Sequence, residues 1–263
     1  MNYFITGANT GIGLETARSL AARGPVFIAC RNRQKAEAAA ASIGTGDIRV
    51  LDLDLASLDS VRDCAASFLK LDEPLDVLIN NAGVAGARGL TADGFEPHFG
   101  INHLGHFLLT TLLLDRLGAS GGRIVNVSSD AHYSAKGINW DALQRPGHSI
   151  TGMPQYAVSK LCNVLFSQEL ARRYPALHSY ALHPGVVASD IWRRVPWPVR
   201  PLMTRRMISN AEGARTSVYC ATSDEVADES GLFYDKCAQR AASPVATPEL
   251  GAELWRRSEA WVA

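Results

Sequence analysis

The chain has 263 residues, of which 47% are apolar and 20% charged, a composition typical of a globular protein with a sizeable core. Its 26 Lys and Arg residues equal its 26 Asp and Glu residues, so charge gives no reason to expect a nucleic-acid partner. Five cysteines stand far apart in the sequence, which favours free thiols in a reducing compartment.

The apolar runs are too short to cross a membrane. The first, at 1–6, is followed directly by a glycine-rich turn, and the longest, at 107–114, is well below the roughly 20 residues that a spanning helix needs. The sequence therefore predicts no signal peptide, no integral membrane segment and a cytoplasmic location.

In chain order, short β-type runs alternate with longer helical runs. Strands are predicted at 3–6, 26–30, 48–53, 77–80, 123–127, 179–182 and 231–234. Helices are predicted at 13–22, 34–42, 57–69, 98–117, 155–173, 211–221 and 249–260. This alternation predicts a doubly wound Rossmann-type α/β fold, with a parallel sheet of about seven strands and helices on both faces. No repeat or linker interrupts it, so residues 1–263 are expected to form a single domain.

A glycine-rich turn lies between the first strand and the first helix. Glycine permits the tight turn and lets a pyrophosphate approach the backbone, while the helix N-terminus favours the negative charge. Such a cluster is a weak signal alone but a good one after the first strand of a βαβ unit, where it predicts a dinucleotide site. The predicted cofactor contacts in this turn are Gly7, Asn9, Thr10, Gly11, Ile12 and Gly13.

The end of the second strand bears on the choice of cofactor. An NAD enzyme usually carries an acid there for the ribose 2′-hydroxyl, whereas this strand is followed by Arg31 and Arg33. The guanidinium of Arg31 suits a 2′-phosphate, which favours NADP(H). The alternative is that both arginines merely solvate the start of a helix.

Candidate catalytic residues follow three later elements. Tyr156 and Lys160 are four residues apart, on one face of a predicted helix. Ser128 and Ser129 follow the fifth strand, at the sheet edge where ligands bind in parallel α/β folds, and both are candidates for one role. Asn102 lies in the helix after the fourth strand. A Tyr and Lys pair alone is uninformative, since it occurs by chance in many helices.

Together these motifs resemble the short-chain dehydrogenase/reductase family over nearly the whole chain. The motifs that carry the resemblance are 6–13, 80–83, 102, 129, 156–160 and 184–185, in the family's order. The segments 29–31, 102–107, 167–173 and 183–185 are similar to the retinol-dehydrogenase-like branch in particular.

The resemblance implies a role for each catalytic candidate. Tyr156 would be the general acid in reduction and the base in oxidation, and Lys160 would lower the pKa of its phenol and hold the nicotinamide ribose. Ser129, the second serine of the pair, would stabilise charge on the substrate oxygen. Asn102 would hold a water in a proton relay behind Lys160. Further cofactor contacts are implied at Asp52, Leu53, Asn81, Ala82, Gly83, Pro184, Gly185, Val187 and Ser189, with Asp52 on the adenine amino group.

The segment 189–210 is rich in Pro, Trp and Arg, among them Trp192 and Trp197. We expect it to be a lid over an apolar substrate pocket, as family members carry their variable substrate segment there. Contact with a membrane surface and a plain surface loop are the alternatives. None of the histidines shows metal-ligand spacing, so no metal site is predicted.

The leading interpretation is an NADPH-dependent oxidoreductase that interconverts a lipophilic ketone or aldehyde with its alcohol. Membrane-bound retinol dehydrogenases carry an N-terminal anchor, whereas this chain begins at the first strand, which puts retinol itself in doubt. A cofactor-binding regulatory protein without turnover is an alternative from another class. A protochlorophyllide-reductase-like enzyme ranks low, because the insertion between serine and tyrosine is missing, and an epimerase would show another glycine spacing. A homo-oligomer is expected, joined through the helices at 98–117 and 155–173.

Overall fold

The chain folds around one eight-stranded sheet, as seen in a computed structural model that describes residues 1–147, 149–187 and 208–263. The strand order is β3-β2-β1-β4-β5-β6-β7-β8, with parallel pairing from β3 to β7 and an antiparallel β7–β8 pair. The strands are β1 (Tyr3–Thr6), β2 (Val26–Cys30), β3 (Ile48–Asp52), β4 (Val77–Asn80), β5 (Arg123–Val127), β6 (His178–His183), β7 (Leu232–Asp235) and β8 (Ala238–Arg240). The predicted doubly wound α/β fold is confirmed.

Helices cover both faces of this sheet. The helices of the described residues are α1 (Gly11–Leu20), α2 (Arg33–Ile43), α3 (Leu58–Leu69), α4 (Pro97–Phe99), a π-helical turn (Gly100–Leu104), α5 (Gly105–Ala119), α6 (Met153–Arg173), α7 (Asn210–Thr222) and α8 (Pro248–Val262), with short 3₁₀ turns between them. The helix predicted at 98–117 is therefore three consecutive pieces. The π-helical turn inside it was not predicted.

Alternation along the strands divides the core into two clusters. Phe4 and Phe27 point to the face covered by α3, α5, α6 and α8. Tyr3 and Ile28 point to the other face, against α1, α2 and α7. Because both faces are covered, the central strands β1 and β2 are buried at every position, as is typical of a parallel sheet.

Polar residues fix where several helices begin. The Ser57 side chain accepts a hydrogen bond from Ser60 N at the start of α3, as expected for an N-cap, and Asn32 does the same for Lys35 N at α2. Ser209 and Glu212 form a capping box at α7. Each cap gives a partner to a backbone N–H group in the first turn of its helix.

The predicted lid at 189–210 lies almost entirely outside the described residues, and so do Ser189, Trp192 and Trp197. Its last residues are described. Ile208 pairs with Val187 in a β-bridge, and Asn210 already begins α7.

Helix α8 lies against α6 and buries Trp255, which the structure leaves 2% exposed. The indole packs on Phe107 of α5 and Phe166 of α6, with ring centroids 5.0 and 5.9 Å away, and Arg173 stacks on it at 4.6 Å. The surface of α5 and α6 that α8 covers is therefore not open to a second copy of the chain. If the expected oligomer forms through these helices, its interface must use their other surfaces.

Candidate active site

A cleft of about 460 Å³ opens at the carboxyl edge of the sheet, above β1, β2, β4 and β5. This is the position where open α/β sheets bind ligands, since the crossovers on the two sides of β1 leave a crevice there. The predicted cofactor residues that line it are Gly7, Asn9, Thr10, Gly11, Ile12, Gly13, Arg31, Leu53, Asn81, Ala82, Gly83, Tyr156, Lys160 and Pro184.

Two glycines of the turn, Gly7 and Gly13, have no room for a side chain. Gly7 has φ +68°, a left-handed conformation, and a Cβ on it would lie 2.9 Å from Ala82. A Cβ on Gly13 would lie 2.5 Å from Asn81 Nδ2 and 2.6 Å from Gly7 O. The turn and the loop after β4 therefore form one tight cradle at the N-terminus of α1, which suits the close approach of a pyrophosphate.

The far end of the cleft is basic. Arg31, Asn32 and Lys35 line it, and both cations are exposed to solvent. Arg33 turns away and forms an ion pair with Asp52, with Nη1 and Oδ2 2.7 Å apart. Of the two arginines after β2, the structure thus brings only Arg31 to the cleft.

The same ion pair bears on the predicted adenine contact. Asp52 is absent from the cleft wall and its carboxylate is paired with Arg33, whereas Asp54, two positions further on, lines the cleft together with Leu55. The sequence analysis missed Asp54. The available signal was an acidic residue at the end of the third strand. Both Asp52 and Asp54 fit this description, and the sequence alone does not show which of them reaches the cleft.

Tyr156 and Lys160 lie one turn apart on α6 and both face the cleft. Lys160 is 3% exposed, its Nζ donates to Val127 O at 2.8 Å and lies 5.6 Å from the centroid of the tyrosine ring. Burial lowers the pKa of Lys160 to about 7. The amine is thus only partly charged at neutral pH.

The structure raises the phenol pKa of Tyr156, whereas the sequence analysis expected it to be lowered. Burial raises the pKa of Tyr156 above its ordinary value of 10.0, and a hydrogen bond with Ser129 opposes that rise. The physical reason is that desolvation of the phenolate outweighs the other influences, while the neighbouring amine has itself lost much of its charge. In this state the phenol is a proton donor.

The structure separates the roles of the two serines. Ser128 is buried, and its Oγ donates to Lys160 O at 2.7 Å, so it ties β5 to α6. Ser129 shares a hydrogen bond with the Tyr156 side chain. Its carbonyl oxygen lies 2.7 Å from His132 Nδ1, which fixes the backbone at this point. Ser128 contributes to the cleft wall and Ser129 does not, but Ser129 is the serine that is hydrogen-bonded to the phenol.

Asn102 is fully buried in the π-helical turn and does not line the cleft directly. Its Oδ1 accepts from Val84 N at 2.8 Å, and its Nδ2 donates to Val84 O at 3.1 Å and to Ser159 Oγ at 2.9 Å. A π-helical turn often marks a functional site in a helix. Here it turns Asn102 towards the loop after β4 and towards α6.

A buried pair of hydrogen-bonded side chains, Glu96 and His98, lies next to the Tyr156 ring. Glu96 Oε1 is 2.6 Å from His98 Nδ1, and Ala87 N donates to His98 Nε2 at 3.3 Å. The imidazole ring meets the Tyr156 ring edge-on at 6.3 Å. The loop 84–87 is therefore held at one end by Asn102 and at the other by His98.

The remaining predicted contacts lie beside the cleft rather than in its wall. Gly185 and Val187 follow Pro184, and a Cβ on Gly185 would meet Ile208 Cδ1 at 2.4 Å.

Residues that line the cleft but were not predicted share one feature: they occupy or follow the carboxyl ends of strands, or begin a helix next to one. They are Ala29, Cys30, Asn32, Lys35, Asp54, Leu55, Val84, Ile101 and Val127. Ser128, the alternative candidate for the serine role, also lines the cleft.

The described residues contain neither a metal-ligand cluster nor a membrane-spanning helix. Within those residues, no group of three His, Cys, Asp or Glu side chains is arranged so that it could hold a metal ion. Across the same residues, none of the helices combines the length and apolar character needed to span a membrane.

Comparison with known proteins defines the class. The family model for short chain dehydrogenases matches residues 2–142, and this chain belongs to that family of nicotinamide-dependent oxidoreductases. It is 45% identical to human retinol dehydrogenase 12 over 97% of this chain and 84% of that protein, and 42% identical to human retinol dehydrogenase 13 over 97% and 82%. A solved structure of an uncharacterised protein from Mycobacterium paratuberculosis has a TM-score of 0.81 and 36% identity, covering 99% of this chain and 92% of that one.

Proposed function

We propose that this protein is an NADPH-dependent oxidoreductase that interconverts a lipophilic ketone or aldehyde with its alcohol. The observation that carries the proposal is that Tyr156 and Lys160 line a cleft whose glycine turn fits a dinucleotide, with Ser129 hydrogen-bonded to the Tyr156 side chain. When bound, the nicotinamide supplies or accepts the hydride.

The protein's own part is proton transfer and positioning. In reduction the Tyr156 hydroxyl gives its proton to the substrate oxygen, and Ser129 donates a hydrogen bond to the same oxygen as negative charge develops there. In oxidation the same groups act in the reverse sense. Lys160, held by Val127 O at 2.8 Å, returns a proton to the phenolate and holds the ribose next to it.

The preference for NADPH rests on charge at the adenosine end. Arg31 and Lys35 line the cleft there, and a guanidinium with an ammonium suits a 2′-phosphate. Asp52, at the end of β3, forms an ion pair with Arg33. We further assign the adenine contact to Asp54, because its carboxylate and not that of Asp52 belongs to the cleft wall.

Charge removal at this end tests the preference. We expect Arg31→Ala and Lys35→Met each to raise the KM for NADPH by about tenfold, and to leave the KM for NADH nearly unchanged, since each loses a charge-assisted hydrogen bond to the phosphate alone. Arg33→Ala is the matched control, because its side chain is paired outside the cleft. Equal effects on both cofactors would exclude 2′-phosphate recognition by Arg31 and Lys35.

Removal of the phenol tests the chemistry. Tyr156→Phe is expected to bind NADPH as tightly as the wild type, while turnover of a lipophilic carbonyl falls by about 10²–10⁴-fold, the usual contribution of a general acid. Binding is measured by protein fluorescence and turnover by NADPH absorbance. Turnover at the wild-type rate would remove Tyr156 from its role.

A lipophilic substrate is supported by the relatives named retinol dehydrogenases and by the apolar Val84 and Ile101 in the cleft wall. A panel of lipophilic aldehydes and ketones with NADPH tests the class. Tight cofactor binding without NADPH oxidation across the whole panel would favour a sensing protein instead.

The proposal also includes a cytoplasmic location, which the five unpaired cysteines support, and a homo-oligomeric state.

A further inference from the structure

His106 lies on α5, 2% exposed, and takes no part in the mechanism above. Its two ring nitrogens contact different parts of the active site. Nδ1 lies 3.1 Å from the backbone oxygen of Asn102, in the π-helical turn, and Nε2 lies 2.8 Å from Thr6 Oγ1, at the end of β1.

These partners determine the tautomer. A backbone carbonyl oxygen only accepts, so the ring proton is on Nδ1 and is donated to Asn102. Nε2 is then an acceptor and receives the hydroxyl proton of Thr6. Burial lowers the pKa of His106 to about 4, the Asn102 carbonyl opposes this, and the charge of Lys160 adds to the lowering. The ring is therefore neutral at physiological pH.

The orientation of the Thr6 hydroxyl then follows. With its proton directed to His106, its lone pairs face the loop after β4 and accept from Asn81 N and Ala82 N, both at 3.0 Å. Thr6 is fully buried, so no water can replace these partners without a rearrangement. Asn81 and Ala82 form one wall of the cofactor cleft.

We propose that His106 is a positioning residue that couples the cofactor cradle to the catalytic π-helical turn, because it fixes Thr6 against the loop at 81–82 and holds the Asn102 backbone at the same time. This inference rests on the proposed binding of a pyridine nucleotide in the cleft. Its consequence is that cofactor affinity depends on a side chain that does not itself line the cleft.

His103 provides a matched control on the same helical segment. It is equally buried, burial likewise lowers its pKa to about 3, and its Nε2 lies 3.1 Å from Ser258 Oγ on α8, away from the cleft. His103→Leu should therefore lower the melting temperature and leave the NADPH Kd unchanged.

Substitutions at His106 separate its two bonds. His106→Leu removes both, and we expect the NADPH Kd to rise about tenfold, since buried donors and acceptors lose their partners. His106→Gln places an amide oxygen near the position of Nε2, where it can accept from Thr6, and should keep the Kd within about threefold of the wild type. His106→Asn reaches only the position of Nδ1 and should behave like His106→Leu.

A double-mutant cycle with Thr6→Val identifies the path of the coupling. Because the two residues act through one hydrogen bond, the double variant Thr6→Val with His106→Leu should bind NADPH no more weakly than the weaker single variant. Kd is measured by fluorescence titration of the purified full chain and compared with the melting temperature of each variant.

The outcomes distinguish this inference from the function on which it rests. Wild-type affinity in a folded His106→Leu or Thr6→Val protein, additive losses in the double variant, or an equal loss in His103→Leu would overturn the coupling. If His106→Leu does not fold, Thr6→Val and His106→Gln decide the question alone. A wild-type protein without NADPH affinity would overturn the proposed function, and the coupling with it.

Discussion

At the scale of single residues, burial controls the chemistry of this site. The amine of Lys160 and the phenol of Tyr156 both favour their uncharged forms, because the cleft wall excludes water from the charged ones. In the proposed mechanism, the proton needed for reduction is therefore already on the phenol. Burial of Lys160 also lowers the free energy of unfolding, by an amount that depends on pH.

Lys160→Met tests that cost. The amine binds a proton up to about pH 10.5 in the unfolded chain and up to about pH 7 in the folded protein, so between these values the unfolded state holds more protons and wild-type stability rises with pH. The penalty is fully present below pH 7. We expect Lys160→Met to raise the melting temperature by a few degrees at pH 6 and by less at pH 10, while turnover is lost.

Calorimetry at the two pH values measures this difference. The Val127 carbonyl keeps a partner in the variant, since Asn163 Nδ2 also donates to it at 3.1 Å. An equal change of melting temperature at both pH values would show that Lys160 titrates normally in the folded protein.

At the scale of elements, the segment from α4 to α5 organises the site. It supplies Asn102 and His98, which hold the two ends of the loop 84–87, and His106, which reaches β1. Glu96 caps α4 through its Oε2, which accepts from Phe99 N at 3.0 Å, and orients His98 through its Oε1. One buried carboxylate thus fixes both the start of the segment and its first active-site contact.

Glu96→Gln is expected to lower the free energy of unfolding by about 1–3 kcal/mol. The amide replaces one acceptor oxygen by a donor, so either His98 or Phe99 N loses its buried partner. Glu37→Gln serves as control, because its pair with Arg33 is exposed and is expected to contribute about 0.3–0.5 kcal/mol. Urea unfolding measures both, and equal midpoint shifts would contradict the assigned role of Glu96.

At the scale of the whole molecule, α8 closes one side of the fold. Its carboxyl end reaches α3, where Arg62 Nη2 donates to Val262 O at 2.5 Å, and Trp261 packs on Phe99 at 5.5 Å. The final helix thus joins α3, α4, α5 and α6 in one layer. A homo-oligomer remains a prediction, and its interface must lie outside the surface that α8 covers. A mass of one chain, measured by light scattering, would contradict the prediction of a homo-oligomer.

Trp255→Ala is expected to cost about 3–5 kcal/mol of unfolding free energy, because it opens a cavity among buried rings. Trp261 lies on the same helix but is partly exposed, so Trp261→Ala should cost clearly less. Denaturant titration of both variants is the measurement. A smaller loss at Trp255 than at Trp261 would show that α8 is not anchored through the buried indole.

The sequence alone determined the alternation of strands and helices, the dinucleotide turn and the residues at the strand ends, because periodicity and spacing are local properties of the chain. It missed β8, a short, exposed strand of three residues, because the preceding turn uses Lys236 and Cys237 at positive φ instead of the usual glycine or asparagine.

Only the tertiary structure decided which of several equivalent side chains reaches the cleft. Asp54 lines the cleft whereas Asp52 pairs with Arg33, and Ser128 is bonded to the Lys160 backbone. These contacts, the π-helical turn at Asn102 and the raised phenol pKa all depend on partners distant in sequence. Arg33 and Asp52 meet because the parallel neighbours β2 and β3 bring their carboxyl ends to one edge, and Ser128 meets Lys160 because α6 packs against β5. Local pattern carries no information on those hydrogen bonds, since each is formed between elements.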